Sequence, residues 1–146
     1  YPAALVALGA TIVTNARSLP AADFFTGMFE TALDHGEIIV AVEFPIGAKA
    51  AYMKFRNPAS RYAMAGVFVA DHGAGDVRVA VTGAGPCVFR WRQAEDALAR
   101  RFAPEALAGL LPDASALNND LHAGADYRAH LVAVMARRAV GAIHSA

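Results

Sequence analysis

Residues 65–82, AGVFVADHGAGDVRVAVT, contain two valine-rich runs on either side of a glycine-rich turn. β-Branched and aromatic residues favour strands, and His72-Gly73-Ala74-Gly75 is typical of a hairpin connection. The stretch therefore predicts two antiparallel strands, Ala65–Asp71 and Asp76–Thr82. A third strand candidate, Ala51–Arg56, precedes them, so this region predicts an antiparallel meander.

The pattern changes to helical spacing after this meander. Phe89–Trp91 is a short fourth strand candidate, whereas Gln93–Phe102 carries apolar residues at intervals of four. Pro104–Leu111 predicts a second short helix with proline in its first turn, and a longer helix opens near Asp126. Strands followed by helices indicate an α+β fold in which the helices pack on one face of an antiparallel sheet.

The first third of the chain contains two further strand candidates. Ala10–Val13 is a short β-branched run, and Glu37–Phe44 is the strongest strand of this third, closed by a proline. Residues 21–32 are compatible with a short helix or with an extended course. Ile46–Lys49 is a plausible boundary between two substructures.

The composition excludes several broad classes of function. The 146 residues include 13 basic and 13 acidic side chains, so no excess positive charge favours nucleic acid or an anionic membrane. No run approaches the roughly 18 apolar residues of a membrane span, although 56% of the residues are hydrophobic. Because Cys87 is the single cysteine, the chain alone forms no disulfide and no cysteine-ligated iron–sulfur cluster. We expect a globular, cytoplasmic protein.

Three motifs that could carry chemistry favour simpler interpretations. Thr82-Gly83-Ala84-Gly85-Pro86 resembles a dinucleotide-binding turn, but Val88 occupies the place of the third glycine, so a tight turn is favoured. The five histidines lack the spacing of metal ligands. Ser60, Ser115 and Cys87 lie in no recognisable nucleophile motif, so hydrolysis has almost no support.

The densest polar and aromatic cluster follows the strand candidate Ala51–Arg56. It consists of Lys54, Arg56, Ser60, Arg61 and Tyr62, in and just after that strand. Loops that follow strands often carry ligand-binding groups. Two interpretations stay open, namely a solvated loop whose tyrosine packs on the sheet, and a binding site.

Several segments of the chain resemble, in order, the motifs of one protein family. Leu5–Ala10 is similar to a family strand, Ala21–Gly27 to its D-F-F-x-G segment, and Leu33–Ile39 to its L-x-P-G-E-I-L signature. The further similarities are Tyr52–Arg56 with Ser60–Ala63 (Y-x-K-x-x-R and D-Y-A), Val79–Pro86 (G-x-x-x-x-P) and Asp126–Ala139 (A-x-Y-R-x-H-L-x-x-V-x-x-R-R-A). The family is the FAD-binding medium subunit of molybdenum hydroxylases such as carbon monoxide dehydrogenase and xanthine dehydrogenase.

The resemblance implies a division of the chain into two units. Residues 1–46 would be the carboxy-terminal remnant of the FAD-binding middle domain, and residues 48–146 the carboxy-terminal domain of the flavoprotein. In this family the glycine-rich segments that hold the FAD pyrophosphate lie before the stretch that begins at Tyr1. The first residues show neither a starting methionine nor a signal-peptide pattern, which predicts that the chain begins within a longer protein.

The resemblance also implies five cofactor-binding residues on the isoalloxazine side of FAD. Ile39 would pack against the ring, Lys54 would reach its polar edge, and Tyr62 would stack beside it or bond to it. Glu37 matches the signature glutamate, whose role would be to hold the turn. Arg61 stands where the family often has aspartate, and His35 stands where it has proline.

The implied function is electron transfer within a complex. A molybdenum-binding large subunit with molybdopterin would oxidise the substrate, a small subunit would relay electrons through iron–sulfur clusters, and FAD would deliver them to an acceptor. The chain itself would need no general base and no catalytic residue. The alternative is a non-catalytic scaffold or subunit-interface module that binds no flavin by itself.

Overall fold

The predicted hairpin forms the centre of a four-stranded antiparallel sheet. The computed structural model of the chain describes residues 1–145. The strands are β6 (Lys49–Arg56), β7 (Ala63–Asp71), β8 (Val77–Thr82) and β9 (Phe89–Arg90), paired in that order. Each strand pairs antiparallel with the next, so the expected meander is confirmed.

The two central strands are buried on both faces. One face carries valines that are fully buried beneath the helices α3 (Arg92–Arg100) and α4 (Ala125–His144). The other face packs against α1 (Pro2–Leu8). The expected helical layer is confirmed, and the structure adds a cover on the second face. The valines of the first face are Val67, Val69, Val79 and Val81.

The amino-terminal segment begins with a helix where the resemblance placed a strand. Alanine and leucine favour a helix, Pro2 suits its first turn, and Gly9 ends it in the left-handed conformation at φ 68°. The guanidinium of Arg78 lies against Gly9, where a β-carbon would overlap it. His72 Nε2 lies 3.0 Å from the carbonyl oxygen of Ala7. These contacts fix α1 on the sheet.

A second, smaller sheet follows α1. Its strands are β1 (Thr11–Thr14), β2 (Ser18–Pro20) and β5 (Ile39–Glu43), in the order β2-β1-β5. Residues 21–32, whose course the sequence left open, form the short helix α2 (Ala21–Phe24) and a hairpin. The strands of that hairpin are β3 (Phe25–Gly27) and β4 (Glu30–Thr31).

The carboxy-terminal helices agree with the sequence pattern except at one place. Instead of the helix expected from Pro104 to Leu111, the chain forms a 3-10 turn at Pro104–Leu107. Gly109 adopts φ 75°, and Pro112 follows shortly after, so the helix cannot continue. A second 3-10 turn covers Ala114–Ala116. None of the helices within residues 1–145 combines the length and hydropathy of a membrane span.

The packing of α3 on the sheet gives a stability prediction. Leu98 is fully buried against the valines of the sheet, whereas Leu121 is fully exposed. We expect Leu98→Ala to lower the free energy of unfolding by about 3 kcal/mol, because it leaves a cavity. Leu121→Ala is the matched control and should change it by less than about 0.5 kcal/mol. Urea denaturation of both variants measures the difference, and equal effects would contradict the described packing.

Candidate functional site

Lys54 lies at a cleft between α1 and the main sheet. The cleft has a volume of about 300 Å³ and is open to solvent. Strand β6 contributes Tyr52 and Lys54, because alternate residues of a strand share a face. The other residues that line the cleft are Tyr1, Ala3 and Ala4 at the amino terminus and Phe68 and Thr82 on the neighbouring strands.

Tyr52 forms an aromatic wall of this cleft. Its ring lies 6.2 Å from the ring of Phe68, with an angle of 31° between the two planes. Gly66 makes this position possible, because a β-carbon there would overlap the Tyr52 hydroxyl. Partial burial raises the pKa of Tyr52 above its usual value, so the phenol stays protonated at neutral pH. Tyr52 is not among the predicted site residues, although the two-residue period of a strand places it on the same face as Lys54.

The loop after β6 brings Arg61 and Tyr62 towards Lys54. Asn57 organises this loop, since its Oδ1 accepts two backbone N–H groups and its own N–H donates to the Tyr62 carbonyl at 2.8 Å. Arg61 adopts a left-handed φ of 61°, and its carbonyl accepts a bond from Lys54 Nζ at 3.4 Å. The Tyr62 side chain extends into solvent. These three predicted residues therefore lie together.

Glu37 is fully engaged within the loop before β5. Its carboxylate accepts bonds from the Thr14 hydroxyl at 2.6 Å, the Asp34 N–H at 2.7 Å, and two nitrogens of Arg17, both at 3.0 Å. The Glu37 side chain is almost inaccessible to solvent. The Arg17 guanidinium, followed by the Asp34 and Thr14 donors, lowers the pKa of Glu37 to about 2. This carboxylate holds the loop in place and has no free oxygen directed outwards.

Ile39 belongs to the smaller sheet, away from the Lys54 strand. It opens β5, which pairs with β1. All five residues of β5 are exposed, as are Ile38 before it and Phe44 after it. Strands β5 and β6 lie in different sheets, so the predicted residues form two groups. Glu37 and Ile39 form one, and Lys54, Arg61 and Tyr62 form the other.

The remaining candidate motifs show no further reactive arrangement. The turn at Gly83, with φ 79°, leads to strand β9 and not to a helix. In the part of the chain that the structure describes, no three histidine, cysteine, aspartate or glutamate side chains converge to hold a metal ion. Cys87 is free and partly buried.

Comparison with known families assigns both parts of the chain. Residues 1–47 match the family described as the FAD binding domain in molybdopterin dehydrogenase. Residues 50–143, more than half of the chain, match the family described as the CO dehydrogenase flavoprotein C-terminal domain. The chain belongs to this CO dehydrogenase flavoprotein family. The family membership expected from the sequence motifs is thus confirmed.

Individual members of the family are similar along nearly the entire chain. The carbon monoxide dehydrogenase medium chain of Hydrogenophaga pseudoflava is 29% identical, over 97% of this chain and 55% of its own length. The nicotine 6-hydroxylase medium subunit of Paenarthrobacter nicotinovorans is 34% identical, over 96% of this chain and 54% of its own length.

The fold is also similar to a solved member of the family. A chain of reconstituted CO dehydrogenase from Oligotropha carboxidovorans superposes with a TM-score of 0.79 at 25% identity, over 96% of this chain and 54% of that chain. The expected α+β class is therefore confirmed. The chain spans about half the length of these relatives.

The Glu37 network predicts an acid-sensitive element of stability. Because folding lowers the pKa of Glu37 from 4.5 to about 2, its contribution is complete above pH 4.5 and is lost as the pH falls towards 2. Glu37→Gln should lower the melting temperature at neutral pH, and the difference from the unaltered protein should shrink across that interval. Thermal unfolding followed by circular dichroism against pH measures it. A difference that stays constant down to pH 2 would show that the charge of Glu37 is not the cause.

Proposed function

We propose that this chain supplies the isoalloxazine side of an FAD-binding electron-transfer subunit of a molybdenum hydroxylase. The observation that carries the proposal is that Lys54 lines an aromatic cleft, in a chain whose two parts both match flavoprotein families. In the complex, electrons from iron–sulfur clusters would pass through FAD to an acceptor. We place the boundary between the two units at Gly47, so that residues 1–46 and 48–146 form the middle-domain remnant and the carboxy-terminal domain.

The aromatic walls and the lysine of the cleft fit a flavin ring. Planar aromatic walls, here Tyr52 and Phe68, suit a flat conjugated ligand, and a volume of about 300 Å³ is at the lower end of ligand pockets. When bound, the flavin would supply an acceptor of one or two electrons. Lys54 would place a positive charge beside its polar edge, which favours reduction because the added negative charge is stabilised.

The other predicted residues would surround this position. Tyr62, on the exposed loop after β6, would stack beside the ring, and Arg61 would orient Lys54 through its carbonyl. Ile39 would pack on the ring from the smaller sheet, presented by β5. Glu37 would act indirectly, since its oxygens already accept four bonds and hold the segment that leads to Ile39.

The proposed partners follow from the medium-chain relatives. We propose a large subunit that carries molybdopterin and a small subunit that carries iron–sulfur clusters, assembled in the cytoplasm. The single cysteine supports this division, because the chain alone offers too few thiolates for a cluster.

A scaffold function is the second candidate, and one observation favours it. Strand β5 exposes apolar side chains on both faces, including Ile39, Val40 and Val42. An apolar strand of this kind is typical of a surface that another polypeptide covers. In that case the chain would organise the complex without contacting flavin.

A pair of lysine variants tests the electron-transfer proposal. In the polypeptide that carries this chain, we expect Lys54→Met to weaken flavin retention roughly tenfold, as the loss of one charge contact predicts. The reduction potential of the remaining flavin should fall. Lys49→Met, on the same strand, is the matched control and should change neither. Flavin absorbance after gel filtration and a redox titration provide the measurements.

The outcomes separate the two functions. If the unaltered protein contains flavin, and Lys54→Met changes neither the amount of flavin nor its reduction potential, Lys54 is not part of the site. An unaltered protein that copurifies with large and small subunits but contains no flavin would reject electron transfer and support the scaffold.

A further inference from the structure

A buried arginine lies directly behind the candidate flavin side of the sheet. Arg128, in the first turn of α4, is only 4% exposed. Its Nη1 donates to the carbonyls of Met64 at 2.9 Å and Gly83 at 3.0 Å. Its Nη2 donates to Asp120 at 2.7 Å, and its Nε donates to Ala123 at 3.4 Å. All three guanidinium nitrogens are therefore engaged.

The two carbonyls that share Nη1 belong to the ends of the central strands. Met64 is the second residue of β7 and comes two residues after Tyr62. Gly83 follows β8 directly and adopts φ 79°. A β-carbon at Gly83 would overlap the carbonyl oxygen of Ala63, so these two chain segments lie back to back. Arg128 thus fixes the base of the loop that carries Arg61 and Tyr62.

Burying the Arg128 guanidinium carries a large desolvation penalty. We therefore expect its hydrogen bonds to have a role that an apolar side chain could not fill. Removing a guanidinium from water costs several kcal/mol, and an apolar side chain of similar volume is often as stabilising. Asp120 supplies the opposite charge, and its pKa is lowered by the bonds from His122 and Arg128. What an apolar side chain could not supply is the pair of bonds to carbonyls on two different strands.

We propose that Arg128 is a positioning residue for the flavin site. It acts through the carbonyls of Met64 and Gly83 to hold the loop of residues 57–62, and with it Tyr62, in the orientation that the flavin requires. This inference rests on the proposed function, because it assigns Arg128 to the same site.

Loop position can be measured without flavin. Trypsin cleaves after the exposed Arg61 and also after the exposed Arg101, which serves as an internal reference far along the chain. We expect Arg128→Met to raise the ratio of cleavage rates, Arg61 over Arg101, by roughly tenfold, since the charged bonds that close the loop are lost. Arg128→Lys keeps one donor group and should give an intermediate ratio. Mass spectrometry of the early digestion products gives both rates.

The second readout is the flavin itself. In the flavin-containing polypeptide, Arg128→Met should change the visible circular dichroism of the flavin, and Arg128→Lys should restore part of the signal. Arg138→Met is the matched control, because Arg138 is an exposed arginine of the same helix. It should alter neither the ratio nor the dichroism.

Each outcome decides one of the two proposals. If folded Arg128→Met gives a cleavage ratio within about twofold of that of the unaltered protein, Arg128 does not hold the loop of residues 57–62 in place. If that variant does not fold, the same result for Arg128→Lys would overturn it. A raised ratio with unchanged flavin dichroism would overturn the positioning of the flavin. A raised ratio in a protein that never contains flavin would reject the proposed function and leave Arg128 as a loop anchor.

Discussion

The burial of strands β7 and β8 on both faces is the constraint on which the rest of the structure depends. One face carries valines beneath α3 and α4, where large side chains fill the space between the layers. The other face carries small residues such as Ala70 and Ala80, which allow the alanine-rich α1 to approach closely. The cleft with Tyr52 and Lys54 lies between the first turn of α1 and this face of the sheet. The candidate site is therefore a consequence of how the second face is covered.

The sequence predicts the elements whose signal is local. Two valine-rich runs around a glycine-rich turn predicted the central hairpin, and a helical pattern that opens near Asp126 predicted α4, because these signals lie close together in the sequence. It did not predict the cover on the second face. Segment Pro2–Leu8 is uniformly apolar, so its pattern shows no polar side from which a packing direction could be read. The 3-10 turn at Pro104–Leu107 was missed because the influence of Gly109 depends on its left-handed backbone angle.

In the candidate site, too, the contacts between residues close in sequence could be predicted and the long-range contacts could not. Lys54, Arg61 and Tyr62 lie within nine residues, so a single turn of chain brings them together and the sequence could group them. Tyr52 and Phe68, which lie 16 positions apart, are neighbours because the register of β6 and β7 pairs them. The position of the turn between the strands does not by itself determine this register. The proposed role of Arg128 depends on carbonyls at the ends of two neighbouring strands, 64 and 45 positions away along the chain. A backbone carbonyl has no residue-type signal, so no sequence pattern could have indicated this contact.

The two groups of candidate residues are held in place by different interactions. Lys54 belongs to a sheet whose inner face is largely apolar, so most of its packing involves no titratable group. Ile39 begins a strand with no buried residue, so its position depends on the pairing of β5 with β1 and on the bonds of Glu37 with Arg17 and Thr14. Acid below pH 4.5 would weaken the bonds of Glu37 on the Ile39 side. It would also weaken the bond of Arg128 with Asp120 beneath the loop that carries Tyr62, because folding lowers the pKa of Asp120 as well.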